Sequence, residues 1–189
     1  MEKVSKIRPL LKGKSYYPCL AGSDCFGTYR WWFHESCLKQ LGLSQDYTQT
    51  LLSTTFQGEK YYALYFGIAV KETIRQRLHW HINQKHTQSS FRSGFISTLR
   101  LTLCALLLNP ASKLTLKQSE DVVNDFMDKY CVVEWCSYYD NAVDQIRADE
   151  KAELRSYCYP LNIQGNKRKL TDLMSKRKKI KSFLASCSK

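Results

Sequence analysis

The sequence predicts a mixed α/β fold in which a small, mainly antiparallel sheet of three strands is flanked by helices. Three short segments rich in aromatic and β-branched residues have the character of strands, at residues 27–33, 61–69 and 131–135. The segments between and behind them carry apolar residues at helical spacing instead. Because so few strands are spread among five or six helices, the sheet is expected to be small.

Residues 1–59 are predicted to contain a basic arm or loop, a short helix and a turn. Residues 1–18 are basic and lack a clear period, which predicts an arm or a loop. Residues 36–41 predict a short helix that Gly42 stops. Residues 43–58 are polar and end in a turn predicted at 57–59.

The middle of the chain predicts two helices joined by a polar connection. Thr73 is an N-cap for a helix that reaches about residue 84. Residues 86–93 are rich in hydroxyl groups and predict the connection. The second helix covers 95–108 and ends before Pro110.

The last part of the chain begins with a capping box formed by Thr115 and Gln118, which opens a helix that runs to the third strand. Residues 141–157 predict a further helix with Tyr157 on its inward face. Residues 167–189 predict either an amphipathic basic helix or a disordered extension.

The length of the chain limits the number of domains, and its charge indicates the kind of partner. A chain of 189 residues is long enough for one domain with a core, here 19–166, between a basic arm (1–18) and a basic tail (167–189). Apolar content of 43% and charged content of 24% are ordinary for a globular protein. The net charge of +12 favours a polyanionic partner, nucleic acid before a membrane surface.

The compartment is inferred from the leader region and the cysteines. Residues 1–14 are polar and basic, so no secretory signal is expected, and the longest apolar run, 99–108, is too short to span a bilayer. Eight cysteines without a signal segment indicate free thiols in a reducing cytosol. We therefore expect a cytoplasmic protein with no membrane partner.

A zinc site is an alternative use for four ligand-type residues near the start of the domain. Cys19, Cys25, His34 and Cys37 are separated by five, eight and two residues. These spacings match no standard zinc finger, which argues against a structural zinc.

The most informative stretch is the strand end 65–67 followed by a helix that carries Arg77 and His81. These two residues are four apart, so on a helix they share one face. A cation and an imidazole beside a strand-end tyrosine suit phosphodiester chemistry. The alternative is that Tyr29 and Tyr65 are core aromatics with satisfied hydroxyls and that Arg77 pairs with Glu72.

These segments together resemble the GIY-YIG nuclease family over most of the chain. Gly27-Thr28-Tyr29 looks like the first motif of the family, and Tyr65-Phe66-Gly67 looks like the second. Arg77 and His81 lie where its helix carries an arginine and, one turn later, a histidine or tyrosine. Pro160-Leu161-Asn162 looks like the end of its acidic helix. A single domain with its own insertion and basic tail looks most like the restriction-type members.

The chain departs from the family pattern between the two motifs. Thirty-five residues separate Tyr29 from Tyr65, where the family has a short hairpin, so the resemblance implies an insertion near 34–60. Phe66 stands where isoleucine or valine is usual, which a strand tolerates.

The resemblance leaves the metal carboxylate open between Glu150 and Glu153. The family's usual separation from Asn162 favours Glu150, and helical spacing places Glu150 on the face of Ile146 and Leu154. Glu153 lies one turn further and stays an alternative.

The resemblance implies a role for each site residue. Glu150 would hold Mg²⁺, for which Mn²⁺ can substitute, and Arg77 would bind a non-bridging phosphate oxygen. Tyr29 would be the base that deprotonates water, Tyr65 a phosphate ligand and His81 a proton relay or phosphate ligand. Further groups are expected to contact DNA: Lys71, Arg75, Thr87, Ser89, Arg92, Asn162, Gln164 and Asn166.

The function that follows from these expectations is a Mg²⁺-dependent endonuclease. It would hydrolyse double-stranded DNA at a short site, as a homo-oligomer so that both strands are cut. The alternative is a non-catalytic nucleic-acid-binding protein on a decayed nuclease fold. The sequence does not choose between DNA and RNA.

Overall fold

The structure is a computed structural model that describes residues 3–6, 24–139, 142–164, 166 and 170–187. Within them, one antiparallel sheet carries helices on both faces. The strands are β1 (Lys3–Lys6), β2 (Gly27–His34), β3 (Ser53–Phe56), β4 (Glu59–Ala69) and β5 (Cys131–Ser137). The helices are α1 (Gln45–Thr48), α2 (Ile74–Asn83), α3 (Gln88–Ser93), α4 (Thr98–Leu107), α5 (Leu116–Tyr130), α6 (Val143–Ser156) and α7 (Leu173–Ser186).

The sheet has more strands than the sequence predicts. Its order is β1-β5-β2-β4-β3, so four strands make up its body and the four-residue β1 adds a fifth at one edge. The prediction of three strands is therefore wrong. The missed β3 is a polar edge strand whose side chains alternate between exposed and half-buried, so it carries no hydrophobic signal.

The hairpin that joins β3 to β4 occupies the end of the predicted insertion. Gln57 and Gly58 both have positive φ values, 54° and 81°, and Phe56 pairs with Glu59 across them. Two central residues with positive φ are typical of the tight turns that match the twist of a hairpin. The predicted turn at 57–59 is confirmed.

The two faces of the sheet pack against different groups of helices. Tyr29, Trp31 and Phe33 of β2 belong to the larger hydrophobic cluster, together with residues of α2, α4, α5 and α7. Trp32, on the opposite face, belongs to a smaller cluster, against which Leu154 of α6 packs. Alternation along β2 thus separates the two cores, as the pleat of a strand requires.

A β-bulge in β4 changes which face its residues point to. Trp31 pairs with Tyr65 but the next residue, Trp32, pairs with Ala63, so Leu64 is an extra residue. Leu64 and Tyr65 consequently both belong to the larger cluster. The bulge therefore turns Tyr65 toward the face that carries Tyr29.

Several helical segments differ from the sequence prediction. The helix predicted at 36–41 is a single 3₁₀ turn at Glu35–Cys37, and α1 lies in the polar stretch 43–58, for which no helix was predicted. The connection 86–93 contains α3, because Thr87 caps the helix in a capping box with Ser90 and the buried Phe91 anchors it. Tyr157, predicted on the inward face of α6, is 43% exposed because the helix ends at the preceding residue.

The amphipathic helix predicted in the C-terminal tail is present as α7. Leu173, Ile180 and Leu184 are buried, and the helix packs on α3 and α4. Of the predicted N-terminal arm, the described part is β1, which pairs with β5. In the described part of the chain, no helix is both long and apolar enough to span a membrane.

Candidate active site

A cleft of about 390 Å³ lies where β2 and β4 meet α2, α6 and α7. Six of the predicted site residues line it together: Tyr29, Tyr65, Arg77, Glu150, Asn162 and Gln164. It is also lined by Thr98 of α4 and by Met174 and Arg177 of α7. A larger cavity of about 790 Å³, bordered by α3 and the start of α5, contains none of the motif residues.

Two glycines let the motif strands approach their neighbours. A methyl group at Gly67 would overlap the hydroxyl of Tyr29, and one at Gly27 would overlap the carbonyl oxygen of Cys136 and the side chain of Ile74. Both positions therefore require a residue without Cβ. The glycine of the second motif makes the space in which the tyrosine of the first motif lies.

A chain of short contacts runs from Tyr29 into the protein interior. The Tyr29 hydroxyl lies 2.7 Å from Nε2 of His81, and Nδ1 of His81 lies 2.5 Å from Oγ of Ser97. Ser97 is the N-cap of α4 and accepts the backbone N–H of Arg100. The side chains of Tyr29, His81 and Ser97 are all buried, so Tyr29 is held in one position by groups that cannot move freely.

Burial controls the protonation of these groups. Burial lowers the pKa of His81 to about 3, and the cations of Arg77 and Arg100 add to this effect, so the imidazole is neutral at pH 7. Burial, together with Tyr65, raises the pKa of Tyr29 well above its ordinary value although Arg77 opposes the rise. The pKa of Tyr65 is also raised by burial, against Arg77 and Arg177. Both phenols are therefore protonated in the isolated protein.

Arg77 of α2 lines the cleft together with the two tyrosines. Its Nε is 2.6 Å from Oε1 of Glu72, an ion pair without hydrogen-bond geometry, and its guanidinium carbon is 5.1 Å from the ring centre of Trp80. The pairing with Glu72 that the sequence raised as an alternative is thus present. The same side chain also lines the cleft, so these contacts fix the guanidinium rather than remove it from the site.

The two candidate carboxylates of α6 have different surroundings. Oε1 of Glu153 is 2.7 Å from Nη2 of Arg30 and also accepts the Tyr159 hydroxyl, which places it in an ion-pair cluster on the other face of the sheet. Glu150 lines the cleft, and within the described ranges it has no ion-pair partner. Burial raises the pKa of the Glu150 carboxyl.

Asn162 joins the segment after α6 to the second motif. Its Oδ1 accepts the backbone N–H of Phe66 at 2.8 Å and its Nδ2 donates to the Phe66 carbonyl at 2.7 Å. One residue earlier, the backbone N–H of Leu161 donates to the carbonyl of Leu64. Nδ2 of Asn166 in turn donates to the carbonyls of Tyr159 and Asn162. Both asparagines were predicted to contact DNA, but the amide of Asn162 holds this segment to β4 and the amide of Asn166 bonds within the segment.

Replacing Asn162 with alanine is expected to lower the free energy of unfolding by about 1–3 kcal/mol, because the buried polar groups of Phe66 lose their partners. Urea unfolding followed by circular dichroism measures it. Gln164→Ala, in the same segment but exposed, is the matched control and should change the midpoint little. Equal midpoints for the two variants would contradict the role given to Asn162.

The remaining predicted DNA contacts lie outside the cleft or at its rim. Lys71 is exposed, and Arg75 is ion-paired with Asp24 at 2.7 Å. Thr87, Ser89 and Arg92 line the larger cavity instead, where Thr87 caps α3 and Nε of Arg92 donates to the carbonyl of Ala185. The structure thus brings the motif residues together and leaves these five apart from them.

Two residues of the site were not predicted from the sequence. Ser97 had a signal, since a serine before an apolar helical run is typical of an N-cap, but its contact with His81 spans sixteen residues. Arg177 is one of five basic residues between 176 and 181, and no local pattern separates it from the others.

The cysteine cluster considered for zinc is only partly within the structure. Cys19 lies outside the described residues. Cys37 is buried, with its Sγ donating to the carbonyl of His34, and burial raises the pKa of its thiol to about 12. Across the described ranges, there is no group of three His, Cys, Asp or Glu residues that could hold a metal ion.

A cleft lined by two tyrosines, an arginine and a carboxylate that has no ion-pair partner in the described ranges, with a buried histidine in contact with one of the tyrosines, has the groups of a hydrolytic nuclease site. The chain belongs to the GIY-YIG catalytic domain family, whose model matches residues 27–182. This is a family of endonucleases, whose substrate is nucleic acid and whose members generally use divalent metals. The match passes residue 166, the predicted end of the domain, and includes most of α7. No curated protein and no solved structure matches the chain.

Proposed function

We propose that this protein is a metal-dependent endonuclease that hydrolyses double-stranded DNA at a short sequence, in the manner of a restriction enzyme. The observation that carries the proposal is the convergence of Tyr29, Tyr65, Arg77 and Glu150 on one cleft. The net charge of +12 supports a polyanionic substrate. A cytoplasmic enzyme that acts as a homo-oligomer, so that both strands are cut, is part of the proposal.

The cleft offers a distinct task to each side chain. The guanidinium of Arg77 binds a non-bridging oxygen of the phosphate, and its fixed charge stabilises the charge that develops there. Tyr65, protonated because its pKa is raised, donates a hydrogen bond to a phosphate oxygen. The phosphate is thereby held close to Tyr29, across a ring-centre separation of 6.4 Å between the two tyrosines.

Tyr29 and His81 form the route for the proton of the attacking water. The phenol oxygen of Tyr29 takes this proton while its own proton moves to Nε2 of His81, 2.7 Å away. Burial and the cations of Arg77 and Arg100 lower the pKa of His81, so its imidazole is neutral before the step but a weak base, and the transfer depends on the negative charge that the bound phosphate brings to the site. With Nδ1–H donated to Oγ of Ser97, which lies 2.5 Å away, Nε2 carries the lone pair that this transfer needs.

The surroundings of Glu150 fit a hard divalent cation. An unpaired, half-buried carboxylate with a raised pKa gains from a nearby positive charge, and Mg²⁺ is commonly held by one or two carboxylates together with waters and substrate phosphate. Glu150 would hold the ion, and Mn²⁺ can replace Mg²⁺. Such an ion supplies charge stabilisation at the phosphate and the leaving oxygen.

Incubating the purified protein with supercoiled plasmid and unmethylated phage DNA tests the proposal. We expect discrete fragments with Mg²⁺ or Mn²⁺ and none with EDTA. Arg77→Ala should lower the rate by about 100-fold or more, since it removes one stabilising donor of the transition state. Arg155→Ala, an equal change of charge at an exposed position of α6, is the control. Cleavage that survives Arg77→Ala would contradict the role of this residue.

The competing function is nucleic-acid binding without cleavage on the same fold. It would give a shifted but uncut substrate in gel electrophoresis with every divalent metal tested. The half-buried Glu150, which has no ion-pair partner in the described part of the chain, favours the enzyme, because a surface that only binds phosphates gains nothing from a negative charge in its cleft.

A further inference from the structure

Arg177 has an unusual place on α7. The buried residues of this helix, Leu173, Ile180 and Leu184, recur at helical spacing and form an apolar stripe. Arg177 lies on the same stripe, four residues after Leu173 and three before Ile180. A helix that only packs against α3 and α4 would carry an apolar residue here, because burying a charged group is costly.

The guanidinium of Arg177 is held from one side. Its Nη1 donates to the carbonyl of Thr98 at 2.9 Å and to Oγ1 of Thr102 at 2.6 Å, both on α4. Among the described residues, its Nε and Nη2 have no hydrogen-bond partner and no carboxylate pairs with it. The charge is therefore anchored but not neutralised by the part of the protein that the structure describes.

Arg177 borders the cleft together with Thr98, and its charge acts on the catalytic residues. It faces the site from α7, as Met174 does one turn earlier, whereas Arg77 faces it from α2. Tyr65 lines the cleft with both arginines, and the positive charges of Arg77 and Arg177 both oppose the rise in its pKa. The cleft thus carries two guanidinium groups that come from different helices.

We infer that Arg177 is a second phosphate-binding residue of this cleft, which contacts a phosphate group of the nucleic acid beside the one held by Arg77. The inference rests on the proposed function. Two arginines on different helices can hold two neighbouring phosphates of one strand and thus fix the strand relative to Tyr29. The C-terminal helix then completes the active site in addition to supplying general positive charge.

Arg177→Met separates this role from a structural one. Methionine continues the apolar stripe, so a residue that only packs is replaced without loss of stability. We expect kcat/KM for plasmid cleavage to fall by about tenfold or more while the melting temperature stays equal or rises. Lys179→Met removes the same charge from an exposed position of α7 and should cost much less.

Binding gives a readout that does not depend on turnover. In the Glu150→Gln background, the dependence of log K on log salt for a short duplex should become shallower by about 0.9 when Arg177 is replaced, which corresponds to one phosphate contact. Equal kcat/KM and equal slopes for the methionine variants of Arg177 and Lys179 would overturn the inference. If Arg177→Met has a lower melting temperature than the wild type, Arg177→Lys and Arg177→Gln are compared instead. A kcat/KM that recovers with lysine but not with glutamine supports the inference, and an equal loss of kcat/KM in both variants overturns it.

The same series distinguishes failure of the inference from failure of the proposed function. A wild-type protein that cuts, with an Arg177→Met variant that cuts equally well, overturns the inference alone. A wild-type protein that never cuts in any metal overturns the proposed function, and the inference with it.

Discussion

A Glu150→Gln variant is expected to lose metal-dependent cleavage by about 100-fold or more while it folds at least as stably as the wild type. Glutamine keeps the size of the side chain but removes the charge that would hold the cation, and with it the charge stabilisation at the phosphate. Stability should not fall, because burial raises the pKa of Glu150, so the ionised carboxylate costs folding free energy relative to the unfolded chain and the neutral glutamine removes this cost. Cleavage rates with Mg²⁺ and thermal melting of the same preparations measure both effects.

Glu153→Gln is the matched substitution, one turn away on α6, and it should behave in the opposite way. Glu153 is paired with Arg30, so its neutralisation should lower the melting temperature and leave cleavage within a few-fold of the wild type. The reverse pattern, with cleavage lost in Glu153→Gln and kept in Glu150→Gln, would assign the cation to Glu153. That outcome would show that the cluster around Arg30 opens when substrate binds.

The choice between these two carboxylates shows where sequence reasoning ends. Both lie on the same helix, and helical spacing with the distance to Asn162 could only favour one. The structure separates them through Arg30 on β2, more than one hundred residues earlier in the chain. A long-range ion pair leaves no local pattern, so the sequence could not show that Glu153 is already engaged.

Features that depend on neighbouring residues were predicted well. The strands around the two motifs, the capped helices that begin after Thr73 and Thr115, and the turn at 57–59 all follow from local propensity and local hydrogen bonds. The motif glycines belong here too, since glycine in a strand indicates a close approach, although its partner, such as the Tyr29 hydroxyl at Gly67, was not predictable.

Features that depend on tertiary packing were missed. β3 is polar because it lies at the sheet edge, and the bulge at Leu64 that turns Tyr65 toward the cleft shows only in the pairing register. Arg177 resembles its basic neighbours until α7 is placed on α4. The candidate site was thus predicted where it lies on motif strands and on α2, but not where α7 closes it.

Arg30→Met is expected to lower the free energy of unfolding by about 3–5 kcal/mol, the largest effect on stability among these variants. Nη1 of Arg30 is 2.7 Å from Glu134 and Nη2 is 2.7 Å from Glu153, while Nε donates to the Tyr159 hydroxyl at 2.9 Å. The three charged side chains are only 11–19% exposed. Removing the arginine leaves two largely buried carboxylates close together without a cation. Urea unfolding at pH 7 measures the loss.

The control variants separate charge from packing. Arg30 also lies over the rings of Trp32 and Phe66, at 5.2 and 5.6 Å, so a methionine loses stacking as well as charge. Arg30→Lys keeps one positive charge but cannot reach both carboxylates and Tyr159 with a planar fork, so an intermediate loss is expected. A methionine variant as stable as the wild type would contradict the role of the ion pairs.

Neutralising the whole cluster should recover part of the stability that Arg30→Met loses. In the triple variant Arg30→Met, Glu134→Gln, Glu153→Gln the cluster carries no charge, and the glutamine at 134 can still accept the N–H of Trp32 that Glu134 now accepts at 2.8 Å. Breaking a buried ion pair costs more than replacing it, because the cost comes from the charge left behind. A triple variant no more stable than Arg30→Met would place the loss in the packing of Arg30 on its aromatic neighbours. Recovery would show that Arg30 stabilises the protein by neutralising the two carboxylates. Because Glu153 is neutralised in this way and Glu150 is not, only Glu150 is free to bind a cation.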